Sequence, residues 1–165
     1  QRYFVDLVDR KQYYLSASGA EHGELDLAPA ARTPIELVKS LSGFRKSIIY
    51  INSSAKAADF AMDLAASLPE VEDEAINKLI KFVKDHIHKD YYLTTSLKHG
   101  VAFHHGKMPQ EVREKVEALF SDPHSKLQYV ACTSTLLEGV NLPAKNIFVL
   151  NDTHGSAGFG KIDFE

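Results

Sequence analysis

The feature that most limits what this chain can fold into is an alternation. Between positions 46 and 150, short apolar runs trade places with segments whose apolar residues recur every three or four positions. The runs at 46–51 (KSIIYI), 101–103 (VAF), 127–132 (LQYVAC) and 146–150 (NIFVL) read as buried strands, because they lack the every-other-residue polarity of a strand with one wet face. Ile76, Leu79, Ile80, Val83 and Ile87 mark an amphipathic helix over about 72–88, with Lys78, Lys81 and Lys84 on its solvated side. A helix over 55–68 follows the polar turn Asn52-Ser53-Ser54, which can cap it. A shorter helix over 92–99 is stopped by Gly100, and another opens at Pro109 with Val112, Val116, Leu119 and Phe120 on one face. Thr33-Pro34-Ile35-Glu36 reads as a helix start with a capping box. Strands separated by helices imply a mostly parallel sheet with helices on its faces, an α/β fold. Upstream, 3–8 and 12–17 are β-prone and turn at Asp9-Arg10-Lys11, so a hairpin is expected; residues 18–32 show no period and read as a loop.

Composition excludes several classes. With 165 residues the chain fits one domain, and its 44% apolar and 25% charged residues are those of a globular protein. No apolar run approaches the roughly 18 residues a bilayer requires, so no membrane association is expected. A net charge of −3 lacks the strong basic excess of a stand-alone nucleic-acid binder. The start, Gln1-Arg2-Tyr3-Phe4, has neither an initiator Met nor a signal peptide, which reads as an internal stretch of a longer protein. Cys132 is the single cysteine, which fits a reducing compartment: the cytoplasm, or the nucleus in a eukaryote.

In parallel α/β sheets, ligands bind beyond the C-terminal ends of the strands. Those ends carry Asn52-Ser53-Ser54, His104-His105-Gly106 and Thr133-Ser134-Thr135. All three are small, polar and rich in donors. Backbone N–H groups at helix starts attract phosphate, so the pattern points to a phosphate-bearing ligand at that rim; simple helix capping is the competing reading.

Three stretches in this order resemble the C-terminal motor domain of superfamily 2 helicases, the Ski-like branch above all: SIIYINSSAKAADFAMDLA, GVAFHHGKMPQEVREKVEALF and YVACTSTLLEGVNLPAKNIFV. The second carries Gln110 and Arg113 in the Q-x-x-R spacing of DEAD-box relatives; the third has a Thr, a Gly-x-Asn and a Leu-Pro-Ala at matching spacing. The resemblance covers the whole chain and implies a RecA-like, three-layer α/β fold. It implies that Ser53, Gly106, Arg113, Thr133 and Ser134 face the phosphates of single-stranded DNA or RNA, and that Gly139 and Asn141 face ATP in a cleft shared with an N-terminal RecA-like domain of the same protein. DEAD-box relatives have Arg-Gly-x-Asp where this chain has Glu138-Gly139-Val140-Asn141, a departure that favours the Ski-like branch. The resemblance further implies that Mg²⁺ and most ATP contacts belong to the first domain, and that the arginine finger comes after residue 165. No catalytic residue is therefore assigned here, and this stretch alone is not expected to hydrolyse ATP. A catalytically inactive helicase-like docking domain, or a flavodoxin-like ligand binder, is the rival reading.

Four remaining features carry less. Residues 155–161 (GSAGFGK) match the start of a P-loop, but Ile162 stands where Mg²⁺ binding needs Ser or Thr, so a flexible loop is expected. His86, His88, His99, His104 and His105 lack a cysteine cluster or a helical ligand spacing, and no metal site is assigned; His104 and His105 are expected to pack or to touch nucleic acid. Cys132 ends a buried strand and reads as a small core residue. Arg113 has a competing structural role, a pair with Glu117 one turn on.

Overall fold

A computed structural model describes residues 33–137 and 143–150, together with the strand backbones at 2–6, 11–15 and 22–26. Strands β1 (Arg2–Asp6), β2 (Lys11–Leu15) and β3 (His22–Asp26) are followed by α1 (Pro34–Ser42), β4 (Ser47–Ile51) and α2 (Ser54–Ala66). Helices α3 (Glu74–His86) and α4 (Leu93–Leu97) then lead to β5 (Val101–His104), α5 (Gln110–Ser121), β6 (Tyr129–Cys132), α6 (Ser134–Leu137) and β7 (Asn146–Leu150). They form a seven-stranded sheet in the order β3-β2-β1-β7-β4-β6-β5. The pairs β1–β7, β7–β4, β4–β6 and β6–β5 are parallel; β1–β2 and β2–β3 are antiparallel.

The four predicted strands and the hairpin are present. One expectation about the strands fails: β3 lies inside 18–32, which reads as loop. Its sequence, HGELD, has no alternation to betray it; its pairing with β2, from Lys11↔Asp26 to Leu15↔His22, comes from backbone hydrogen bonding. Residues 155–161 lie outside the described residues.

The connections decide the layers. From β4 to β5 the chain moves past β6 in one direction; from β5 to β6 it moves back. Right-handed crossovers in opposite directions put α2 and α5 on opposite faces. On its face, α2 packs against β4, β5 and β6 through Ala57, Ala61, Leu64 and Ala65, whose small size lets the helix sit close. The stripe Ile76, Leu79, Ile80 and Val83 is buried, and α3 packs against α4 and α5. Lys78, on its solvated side, pairs with Glu74 at 2.8 Å. Among the described residues no helix is long and apolar enough to cross a membrane.

The N-terminal edge of the sheet is tied down by side chains. Ser42 Oγ and Tyr129 OH share a hydrogen bond of 2.8 Å, and Asn146 Nδ2 donates to the Ser42 carbonyl and to Ser47 Oγ, both at 3.0 Å. The Lys46 ammonium donates to the carbonyls of Phe120 and Asp122 at the C-terminal end of α5. Asp73 caps α3 by accepting from Ala75 N–H (2.8 Å) and Ile76 N–H (3.1 Å). Its second oxygen accepts from Lys126 N–H (2.7 Å) and the Ser125 hydroxyl (3.4 Å). Gly100, at φ +70°, is obligatory here: a Cβ would stand 2.6 Å from the Lys126 carbonyl oxygen. At α1 the predicted capping box is present, with Thr33 Oγ1 accepting from Glu36 N–H (3.2 Å) and Glu36 Oε2 from Thr33 N–H (3.0 Å).

Candidate nucleic-acid and nucleotide interface

Strands β4, β6 and β5 are neighbours and end in register, with Tyr50 opposite Cys132 and Cys132 opposite His104. The loops that follow therefore leave the sheet side by side. Ser53 is the N-cap of α2 and its Oγ accepts from Lys56 N–H at a long 3.5 Å. Thr133 leaves β6, and its N–H donates to the His104 carbonyl at 3.1 Å, joining the β6 loop to the β5 strand end. Thr133 Oγ1 lies 3.4 Å from Thr135 Oγ1, and Ser134 is exposed.

Gly106 is exposed and lies close to this second loop: a Cβ on it would meet Thr135 Oγ1 at 3.3 Å. It does not itself start a helix. Helix α5 begins at Gln110 with Pro109 as N-cap, and Gly106 sits in the preceding turn, closed by Met108 N–H donating to the His105 carbonyl at 3.0 Å. Proline at 109, extended at ψ 136°, marks the start of the helix, as read from the sequence. Arg113 is one turn inside α5, as expected.

The electrostatics of this rim are unusual for a protein interior. His104 is fully buried, and its Nε2 meets Glu117 Oε1 at 2.7 Å. The expected intrahelical pair of Arg113 with Glu117 does not form; the carboxylate is turned to the strand end instead. Three buried side-chain nitrogens among the described residues have no hydrogen-bond partner: His104 Nδ1, His105 Nδ1 and Arg113 Nε. All three belong to this edge. Burial pulls the His104 imidazole below its usual range, against the Glu117 bond that raises it; the nearby Arg113 charge pulls the same way as burial. Burial likewise lowers His105, helped by His104 and Lys107, and its ring stacks on Phe103 at 5.7 Å. Cys132 is buried and its thiol is pushed up to about 12 by burial, which fits the inert core residue read from sequence.

Ser53, Gly106, Arg113, Thr133 and Ser134 are thus gathered on one edge. Gly139 and Asn141, with Glu138, lie outside the described residues. Sequence reading missed Glu117 as His104's partner and Thr135 as Gly106's neighbour. A histidine ending a fully apolar strand was the available signal, since a buried imidazole needs a partner.

Residues 62–159 match the family described as Helicase conserved C-terminal domain. The chain belongs to the superfamily 2 helicase C-terminal domain family. The described core is accordingly the RecA-like α/β fold of that helicase domain. Among curated relatives, the ATP-dependent DNA helicase Hel308 of Thermoplasma volcanium is 33% identical over 112 residues, 67% of this chain and 16% of the relative. Helicase POLQ-like of Caenorhabditis elegans is 28% identical over 159 residues, 84% of this chain and 17% of the relative. Pre-mRNA-splicing factor brr2 of Schizosaccharomyces pombe is 31% identical over 122 residues, 69% of this chain and 6% of the relative. The helicase domain thus spans only a small share of each of these relatives.

Proposed function

We propose that this helicase domain is the second motor domain of a Ski-like, ATP-dependent translocase acting on single-stranded nucleic acid. In this reading Ser53, Gly106, Arg113, Thr133 and Ser134 face the sugar–phosphate backbone, while Gly139 and Asn141 face ATP. Phosphate contacts give grip and register without reading sequence, which is what a motor that must step along any strand requires. ATP with Mg²⁺ is held mainly by an N-terminal RecA-like partner domain. Closing and reopening of the cleft between the two shifts the grip on the strand.

One observation supports this reading above the others. The three unpartnered buried nitrogens among the described residues lie at the strand ends where the donor-rich loops meet. Buried polar atoms are normally satisfied, so a cluster of exceptions beside donor-rich loops fits a site that a ligand completes. Hydroxyls, backbone amides and a guanidinium suit an anion with several acceptor oxygens.

The test is ATP hydrolysis by the full-length protein alone, with single-stranded DNA, and with single-stranded RNA. Stimulation by either strand is expected and names the substrate. No hydrolysis by well-folded protein under any of the three conditions overturns the motor reading in favour of a docking role.

A further inference from the structure

Arg113 and Glu117 stand four residues apart on α5, the spacing at which opposite charges on a helix meet. Left to themselves they would pair, and the arginine would be occupied. Instead Glu117 Oε1 is held 2.7 Å from His104 Nε2, the last residue of β5. Among the described residues no carboxylate pairs with Arg113. The other near side chain on that face, Gln110, donates to Glu114 at 2.8 Å. A neutral imidazole that donates from Nε2 leaves Nδ1 as a bare acceptor. In His104 that acceptor is fully buried and unpartnered. A histidine kept under such an uncompensated burden is not explained by packing alone, since an apolar side chain there would leave no orphaned nitrogen.

We propose that His104 is a positioning residue: by fixing the Glu117 carboxylate at the strand end, it leaves the Arg113 guanidinium unpaired and open to a phosphodiester of the bound strand. The inference rests on the proposed strand-facing role of Arg113 and adds what keeps that arginine available. Glu117 is then the competitor that His104 restrains. Removing the restraint costs binding, and removing the competitor as well restores it.

The experiment uses the full-length protein and fluorescein-labelled oligothymidylate and oligouridylate, followed by anisotropy across a salt series. His104→Leu is expected to weaken binding about tenfold and to lower the salt slope by about one unit. Adding Glu117→Gln to that variant is expected to restore both. His104→Gln, which keeps a donor near the Nε2 position, should stay close to wild type. A loss in His104→Leu that Glu117→Gln leaves unrepaired would mean that His104 only supports the fold, and overturns the inference while Arg113→Ala still weakens binding. If Arg113→Ala changes neither affinity nor slope, the strand-facing reading of Arg113 itself is wrong and the inference falls with it. Thermal denaturation checks folding. If His104→Leu does not fold, His104→Asn, whose amide is too short to reach Glu117, takes its place with the same expected loss and rescue.

Discussion

The two edges of the sheet are built from similar residues and treated in opposite ways. At the N-terminal edge Ser42, Ser47, Asp73, Tyr129 and Asn146 bond to one another or to nearby backbone, and Asp73 alone accepts from four groups. At the C-terminal edge, His104, His105 and Arg113 each keep a buried nitrogen without a partner. One edge has used these polar groups to close the fold, and the other has left some of its own unpaired. Stability and function are therefore separable by position: damage at the first edge should unfold the domain, and damage at the second should leave it folded and unable to bind.

The largest expected effect tests that division with one residue type. Gly100→Ala places a Cβ against a backbone oxygen at a left-handed φ, and should cost about 2–4 kcal/mol in urea denaturation. Gly106→Ala meets only the side chain of Thr135, which can turn away, and should cost less than about 1 kcal/mol while weakening strand binding. Equal losses of stability at the two glycines would break the comparison.

Asp73→Asn comes next, at about 1–2 kcal/mol from the weakened α3 cap and the lost tie to 125–126. Burial alone would raise this carboxyl, but its hydrogen bonds outweigh burial and hold it below 3.8. A carboxyl lower in the fold than in the open chain contributes stability above pH 3.8, lost as pH falls through the folded value. The difference between wild type and Asp73→Asn should therefore shrink in that acid window; a difference constant down to about pH 2 would assign the cap no charge.

The histidines supply a second, separate window. His104 and His105 are both held below 6.5, by burial first. The open chain then binds protons that the fold resists, so their contribution is complete above pH 6.5 and lost as pH falls toward the folded values. Thermal midpoints measured between about pH 7.5 and 5.5 should drop, and drop less in His104→Gln. A pH-independent midpoint over that range would deny that the rings are neutral in the fold. The smallest expected effect on stability is that of Arg113→Ala, within about 0.5 kcal/mol, because among the described residues its Nε has no hydrogen-bond partner and no carboxylate pairs with its charge. A larger loss would move Arg113 to the structural side of the comparison.

Much of this was written in local pattern. The buried strands at 46–51, 101–103, 127–132 and 146–150, the α3 stripe and the Thr33 capping box depend on neighbours in sequence, and all stand within a residue or two of their expected places. Strand β3 was not legible, because HGELD carries no alternation and is defined by a partner strand. The positions of Ser53, Thr133 and Arg113 on one edge followed from topology, which the strand–helix alternation implies. The bond between His104 and Glu117 joins residues on different elements, and no period in a sequence reports which of two competing partners a carboxylate takes. The start of helix α5 at Gln110 was legible from Pro109, which stands at its N-cap.

Helix α5 runs from one edge to the other, and the Lys46 ammonium grips its final carbonyls. Its 12 residues make a rod about 18 Å long. The buried stripe from Val112 to Phe120 and the Glu117–His104 bond hold the rod along its length as well, so it moves with the sheet as one body. A pull applied at Arg113 would therefore be carried down the rod to Lys46 and the opposite ends of the strands as an axial load.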